Sequence, residues 1–210
     1  RGFNLTMPNK NKIVELLDEL SPEAQLIGAV NTVLNDNGKL IGYNTDGYGF
    51  MQSVRDAGHD ITGKNITVMG VGGASMAICA QSALDGAASV HIFARRTSRY
   101  WNRTQKFAEN LSAKTGCQVC LFDNDDHTSL RDSIAQSYLL INATSVGMVP
   151  DIDDTIIKDT SLFHPELVVA DVVYEPQETR LLKEAKAAGC QTFNGMYMLL
   201  HQGAKAFQIW

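Results

Sequence analysis

Basic residues are in short supply in this 210-residue chain, where 18 Lys and Arg face 23 Asp and Glu for a formal net charge of −5. That balance gives no electrostatic reason to track a polyanion, so nucleic acid and acidic membrane surfaces are excluded as expected partners. Proline occurs only five times, and there is no internal repeat, low-complexity tract or Pro/Ser linker, so boundaries must come from periodicity. The four cysteines, Cys79, Cys117, Cys120 and Cys190, are too irregularly spaced for a disulfide framework and fit a reducing compartment. No apolar run approaches the ~18 residues that span a bilayer, and no basic-then-apolar leader precedes the first element. A cytoplasmic protein is therefore expected. Five histidines (His59, His91, His127, His164, His201) lack ligand spacing, so no metal site is expected.

At 44% hydrophobic and 20% charged, the chain can bury a core as one large domain or two small ones. It opens on Arg1-Gly2-Phe3 with no initiator methionine, already strand-like, and reads as the continuation of an upstream stretch. After Pro8, Asn9 is a good N-cap, and Ile13, Leu16, Leu17 and Leu20 fall at helical spacing, which predicts a helix starting at Lys10. The apolar stretch Leu26 to Leu34, a turn at Asn35-Asp36-Asn37-Gly38 and the segment Leu40 to Asn44 predict a hairpin, followed by a helix from about Gly47 to Ala57.

From Lys64 onward, short β-branched runs alternate with helical stretches. Strands are expected at Ile66–Met69, Val90–Phe93, Val119–Phe122, Leu139–Asn142 and Leu167–Val173, with helices near 74–85, 101–113, 128–136 and 178–188. Such alternation implies an α/β fold with a doubly wound parallel sheet. A brief strand, Cys190–Phe193, then leads into a helix, Met196–Phe207, that can return to the first region.

Gly70-Val71-Gly72-Gly73-Ala74-Ser75 follows the first of these strands and opens a helix, the context a dinucleotide fingerprint requires, although a purely structural turn would read the same way. Glycines there let backbone amides approach a pyrophosphate at the helix N-terminus. Ser75 stands where the pattern has Gly or Ala. The next strand ends in Phe93-Ala94-Arg95-Arg96-Thr97-Ser98-Arg99. Three guanidiniums and no carboxylate favour a ribose 2′-phosphate, hence NADP over NAD, with a solvated basic turn as the alternative. Tyr100 and Trp101 suit either adenine stacking or capping of the next helix.

Lys10 lies in Asn4-Leu5-Thr6-Met7-Pro8-Asn9-Lys10, and Asp46 in Gly42-Tyr43-Asn44-Thr45-Asp46-Gly47. Placed in the first turn of its expected helix, the ammonium would oppose the positive end of the dipole, which a nearby carboxylate would offset. For a Lys and an Asp so far apart in sequence, two exposed surface residues are the default. Cys117 and Cys120 have CxxC spacing but lie in a strand-like run where residues three apart face opposite sides, and Asp151, Asp153 and Asp154 read as a solvated acidic turn.

Six segments in order carry a resemblance to a known family. They are the Asn4–Lys10 and Gly42–Gly47 segments, Gly28-Ala29-Val30-Asn31-Thr32, the Gly70–Ala74 loop, Asn142-Ala143-Thr144-Ser145-Val146-Gly147-Met148, and Gly195-Met196-Tyr197-Met198-Leu199-Leu200-His201-Gln202. Together they resemble the shikimate dehydrogenases, most of all the quinate/shikimate branch. The resemblance implies a Rossmann-like domain at 61–189, with residues 1–60 and 190–210 belonging to a smaller α/β substrate domain and the active site between them. It implies NADP-dependent interconversion of 3-dehydroshikimate and shikimate, with quinate as a further substrate, on the route to aromatic amino acids. Lys10 and Asp46 would be the catalytic pair, and Thr6, Lys10, Asn31, Asp46 and Gln202 would bind the substrate. Gly70, Val71, Gly72, Gly73 and Ala74 would hold the pyrophosphate, and Ala94, Arg95, Arg96 and Thr97 would surround the adenosine ribose. Thr144, Ser145, Val172, Tyr174, Gly195 and Met198 would line the nicotinamide side. Lysine, protonated near neutral pH, would supply the proton that accompanies hydride transfer.

The chain departs from that family in lacking the first part of the substrate domain, including a serine pair that holds the substrate carboxylate, and a helix after Trp210. Thr97 also departs from the quinate-using branch, which often has an aspartate there suited to NAD; its absence supports NADP, with NAD kept as the alternative. The expected partner is a small molecule, with the chain a monomer or homodimer. A non-catalytic Rossmann module that senses a cofactor or metabolite is the competing class, against which the retention of both Lys10 and Asp46 argues.

Overall fold

The computed structural model describes residues 1–210 and contains two sheets. The smaller consists of β1 (Gly2–Asn4), β2 (Glu19–Leu20), β3 (Thr32–Asp36) and β4 (Lys39–Tyr43) in the order β1-β3-β4-β2. β3 and β4 form the expected hairpin, with Asp36 opposite Lys39. Its two-residue turn puts Asn37 at φ 53° and Gly38 at φ 99°, and the Asn35 side chain accepts the Gly38 N–H. Both left-handed positions are filled by residues that tolerate them.

The helix expected from Lys10 does not form. Residues 7–12 are turns, Ile13–Leu16 makes a single 3₁₀ turn, and the chain then extends into β2. Ile13, Leu17 and Leu20 satisfy their apolar character against a small cluster around Ala24, Val30 and Val33, while Leu16 points to solvent at 72% exposure. The four residues share helical spacing without sharing a helix. Lys10 therefore lies in a turn and not in the first turn of a helix of its own. Part of the stretch expected to be extended is instead helical: α1 (Pro22–Ile27) is capped by the Ser21 hydroxyl, which accepts the Ala24 N–H, and ends at Gly28 with φ 67°.

α2 (Asp46–Asp56) leads to the larger sheet. In chain order this comprises β5 (Asn65–Met69), α3 (Gly73–Leu84), β6 (Ser89–Ala94), α4 (Trp101–Thr115), β7 (Gln118–Asp123), α5 (His127–Gln136), β8 (Leu139–Asn142), β9 (Val168–Asp171), α6 (Arg180–Ala187) and β10 (Gln191–Phe193). All its pairings are parallel, in the order β10-β9-β8-β5-β6-β7. That order reverses between β5 and β8, where doubly wound sheets open a crevice at their carboxyl ends. Alternate strand residues feed two cores: Ile66, Val68, Leu139 and Ile141 pack toward α2, α3 and α4, while Met69, Leu140 and Val169 pack toward α5 and α6. Burial on both faces explains why these strands read as continuous apolar runs.

The last helix, α7 (Met196–Ile209), packs against α2 so closely that a Cβ on Gly49 would stand 2.7 Å from the Met198 carbonyl oxygen. At its end the Trp210 indole donates to the Val33 carbonyl at 3.0 Å, tying it to the small sheet. No helix is long and apolar enough to cross a membrane.

Candidate active site

Lys10 and Asp46 meet. The ammonium donates to Asp46 Oδ2 at 2.6 Å, with side chains only 16% and 9% exposed. The turn carrying Lys10 is pinned to the segment that leads into β3, because the Lys10 carbonyl accepts the Val30 N–H at 2.8 Å. Asp46 opens α2, where the unpaired amides of a helix N-terminus favour a negative charge. Asn31, buried just before β3, donates to Asp46 Oδ1 and to Thr45 Oγ1, each at 2.9 Å. Its Oδ1 accepts the Thr45 N–H and the Thr32 hydroxyl, both at 2.9 Å. Gln202 on α7 brings its Oε1 to 3.4 Å from Asn31 Nδ2.

These groups form one wall of a cleft of about 480 Å³, to which Asn4, Leu5 and Thr6 also contribute. The cleft is also lined by Ala74 at the start of α3, by Val172, Tyr174 and Gly195 beyond β9 and β10, and by Met198 on α7. Gly195 cannot be replaced without movement, since a Cβ would collide with the Val172 carbonyl.

A second groove of about 900 Å³ runs from Gly70, Val71 and Gly72 past Ala94, Arg95, Thr97, Ser98 and Arg99 to Thr144 and Ser145. It lies over the point where β5 and β8 diverge. Gly70, at φ 108°, passes so near the β8 loop that a Cβ would stand 2.8 Å from Thr144 Cγ2. Gly72 and Gly73 would meet nothing within 4 Å, leaving their backbone open to a ligand, and Gly73 also lines a smaller pocket beside Lys10. Ser75, where the fingerprint has Gly or Ala, is buried and donates its hydroxyl to the Gly70 carbonyl at 2.6 Å, so the departure braces the loop. The groove thus has free amides at the start of α3 and guanidiniums farther along, a donor set that fits a dinucleotide carrying a 2′-phosphate.

Of the residues expected to bind a cofactor, Arg96 alone lines neither the cleft nor these grooves. Its guanidinium lies over the Trp101 ring, 4.7 Å from the centroid. Arg99 in turn lies over Tyr100 and donates to its hydroxyl at 2.7 Å. Both aromatic residues at the start of α4 hold arginines. No three His, Cys, Asp or Glu side chains converge to hold a metal ion, and all four cysteines are free.

Residues 1–33 match the family model described as the shikimate dehydrogenase substrate binding domain. The whole chain is 52% identical to the shikimate dehydrogenase (NADP(+)) of Listeria innocua, over 72% of that protein's length. The chain belongs to the shikimate dehydrogenase family. The family's quinate/shikimate dehydrogenase from Escherichia coli is 42% identical over all of this chain and 73% of its own. A crystal structure of shikimate 5-dehydrogenase from Listeria monocytogenes, in complex with shikimate and NAD, superposes with a TM-score of 0.97 at 51% identity, covering all of this chain and 72% of that one.

Within this member of the shikimate dehydrogenase family, sequence reasoning missed Thr45 and Thr32, which hold Asn31, and Asn142 and Asp171, which sit behind the cleft. Their roles depend on tertiary contacts. The Asn-Thr-Asp run at 44–46 was the available signal, because short polar residues before a helix satisfy one another there.

Proposed function

We propose that this protein is an NADP-dependent dehydrogenase that reduces 3-dehydroshikimate to shikimate and catalyses the reverse reaction, with quinate as a further substrate and NAD as the alternative cofactor. The observation that carries the reading is the ion pair of Lys10 and Asp46 set in a cleft that Ala74, Val172 and Gly195 also line. Residues 1–60 and 190–210 are assigned to the substrate side and 61–189 to the dinucleotide side.

NADPH, when bound, supplies the hydride that adds to the carbonyl carbon. Gly70 to Ala74 are assigned to the pyrophosphate, and Ala94 to Thr97 to the adenosine ribose. Arg95 is the basic residue among these that faces the groove, while Arg96 lies over the Trp101 ring. Thr144, Ser145, Val172, Tyr174, Gly195 and Met198 are assigned to the nicotinamide side. The carbonyl oxygen needs a proton as the hydride arrives, and Lys10 Nζ donates it. In the reverse direction neutral Lys10 takes that proton back. Asp46 Oδ2 holds Nζ in place, and Asn31 fixes Asp46 through Oδ1, so the donor's position is set before substrate enters. Thr6, Asn31 and Gln202 provide hydrogen bonds for ring hydroxyls.

A cytoplasmic location fits four reduced cysteines, and a monomer or homodimer is the expected assembly. The test is NADPH absorbance with 3-dehydroshikimate on the full-length protein, with NADH in place of NADPH in a second arm and quinate oxidation in a third. Oxidation of NADPH supports the reading, and none with either cofactor overturns it.

A further inference from the structure

Behind the cleft lies a carboxylate that the proposed chemistry does not use. Asp171 ends β9 fully buried, and none of its partners is basic. Its Oδ1 accepts the Val173 N–H at 2.9 Å and Asn142 Nδ2 at 3.0 Å, and its Oδ2 accepts the Thr179 hydroxyl at 2.7 Å. Burial pushes this carboxyl above the usual range, against the pull of those three donors. A strand end with only a packing duty avoids that cost by being apolar.

The contacts lead to both cavities. Asn142 faces Asp171 across the β8–β9 pair and holds the following loop, accepting the Thr144 N–H at 3.1 Å and its hydroxyl at 2.6 Å while donating to the Val146 carbonyl at 3.1 Å. Thr144 and Val146 line the larger groove, and Val172 and Tyr174, on either side of Val173, line the cleft. Thr179 caps α6. One carboxylate thereby joins the loop after β8, the loop after β9 and the start of a helix.

We propose that Asp171 is a positioning residue: through Asn142, Val173 and Thr179 it sets the loops that receive the nicotinamide half of the dinucleotide, without touching the reacting atoms. This rests on the dehydrogenase reading above. Asp171→Asn preserves the arrangement, because its amide oxygen can accept from Val173 and Asn142 while its N–H₂ donates to the Thr179 hydroxyl. Asp171→Ala leaves all three donors without an acceptor.

The test is calorimetric titration with NADP⁺ and with adenosine 2′,5′-bisphosphate, which lacks the nicotinamide half. Asp171→Ala is expected to weaken NADP⁺ about tenfold or more and leave the bisphosphate within about twofold, while Asp171→Asn stays near wild type for both. Thr179→Val removes the bond to Asp171 together with the α6 cap at nearly constant shape and is expected to weaken NADP⁺ severalfold with the bisphosphate unchanged, which keeps the test open if Asp171→Ala does not fold. Equal weakening of both ligands, unchanged NADP⁺ affinity in Asp171→Ala and Thr179→Val, or Asp171→Asn binding as weakly as Asp171→Ala would each overturn the positioning role alone. A wild-type protein that binds neither ligand removes the dinucleotide reading, and this role with it.

Discussion

Asn31 and Asp46 are joined at 2.9 Å through Asp46 Oδ1, which leaves Oδ2 for Lys10. The same Asn31 side chain satisfies Thr45 and Thr32, so Asn31→Ala strands several buried polar groups at once. The expected outcome is a loss of roughly 1–3 kcal/mol in urea unfolding together with a raised substrate KM.

Lys10→Ala separates proton donation from cofactor binding. Turnover is expected to fall by on the order of 10²- to 10⁴-fold with little change in NADPH affinity, measured by steady-state kinetics and fluorescence titration. Asp46→Ala harms substrate KM and kcat together, because Asp46 both orients Lys10 and faces the cleft. Wild-type kinetics for Lys10→Ala would remove its assigned role.

Two glycine substitutions are expected to fail differently. Gly49→Ala drives a Cβ into the α7 backbone and should cost about 1–3 kcal/mol of stability in a thermal or urea melt. Gly72→Ala meets no neighbour and lies at φ −78°, so its melting temperature should match wild type. Its methyl group instead projects where the pyrophosphate is assigned, which should raise the KM for NADPH.

His91 gives stability a pH dependence of definite sign. Burial lowers its pKa from the ordinary 6.5, and its Nδ1 lies 2.9 Å from Ser133 Oγ. As pH falls through 6.5 the unfolded chain takes up a proton that the folded chain refuses, so stability falls until the folded value is reached. His59 is lowered by burial too and adds to the same slope. Urea midpoints should therefore decrease below about pH 6.5, and less steeply in His91→Gln.

Thiol reactivity should single out one cysteine. Burial pushes Cys79 up to about 12 and Cys117 up to about 11, and raises Cys190 as well, so these three remain neutral and covered. Cys120 is the partly exposed one. Titration with an aromatic disulfide should show one fast thiol in native protein and four in denaturant.

The large sheet was legible because its four central strands are short, apolar and buried on both faces, and the glycine loop marks where β5 hands over to α3. The segment from Lys10 to Leu20 was not. Spacing records only that apolar residues recur, and Ile13, Leu17 and Leu20 reach one small cluster from a 3₁₀ turn and a strand as well as they could from a helix. The end signals of α1, Ser21 before Pro22 and Gly28 after Ile27, are present in the letters beside an apolar run that reads as extended. In the site, Lys10 and Asp46 were found through resemblance, since no local pattern joins residues 36 positions apart. The pairing of Arg96 with Trp101 was less visible, because attraction between a cation and a ring face depends on side-chain direction, which spacing does not encode.

The polypeptide passes between its two sheets twice, once between α2 and β5 and once between β10 and α7. A body held at a single crossing can swivel freely, whereas one held at two is confined to rocking about the line that joins them. Here α2 also lies hard against α3, where a Cβ on Gly47 would collide with the Ala77 carbonyl oxygen, so the walls of the cleft are held in register by packing as well as by the two crossings.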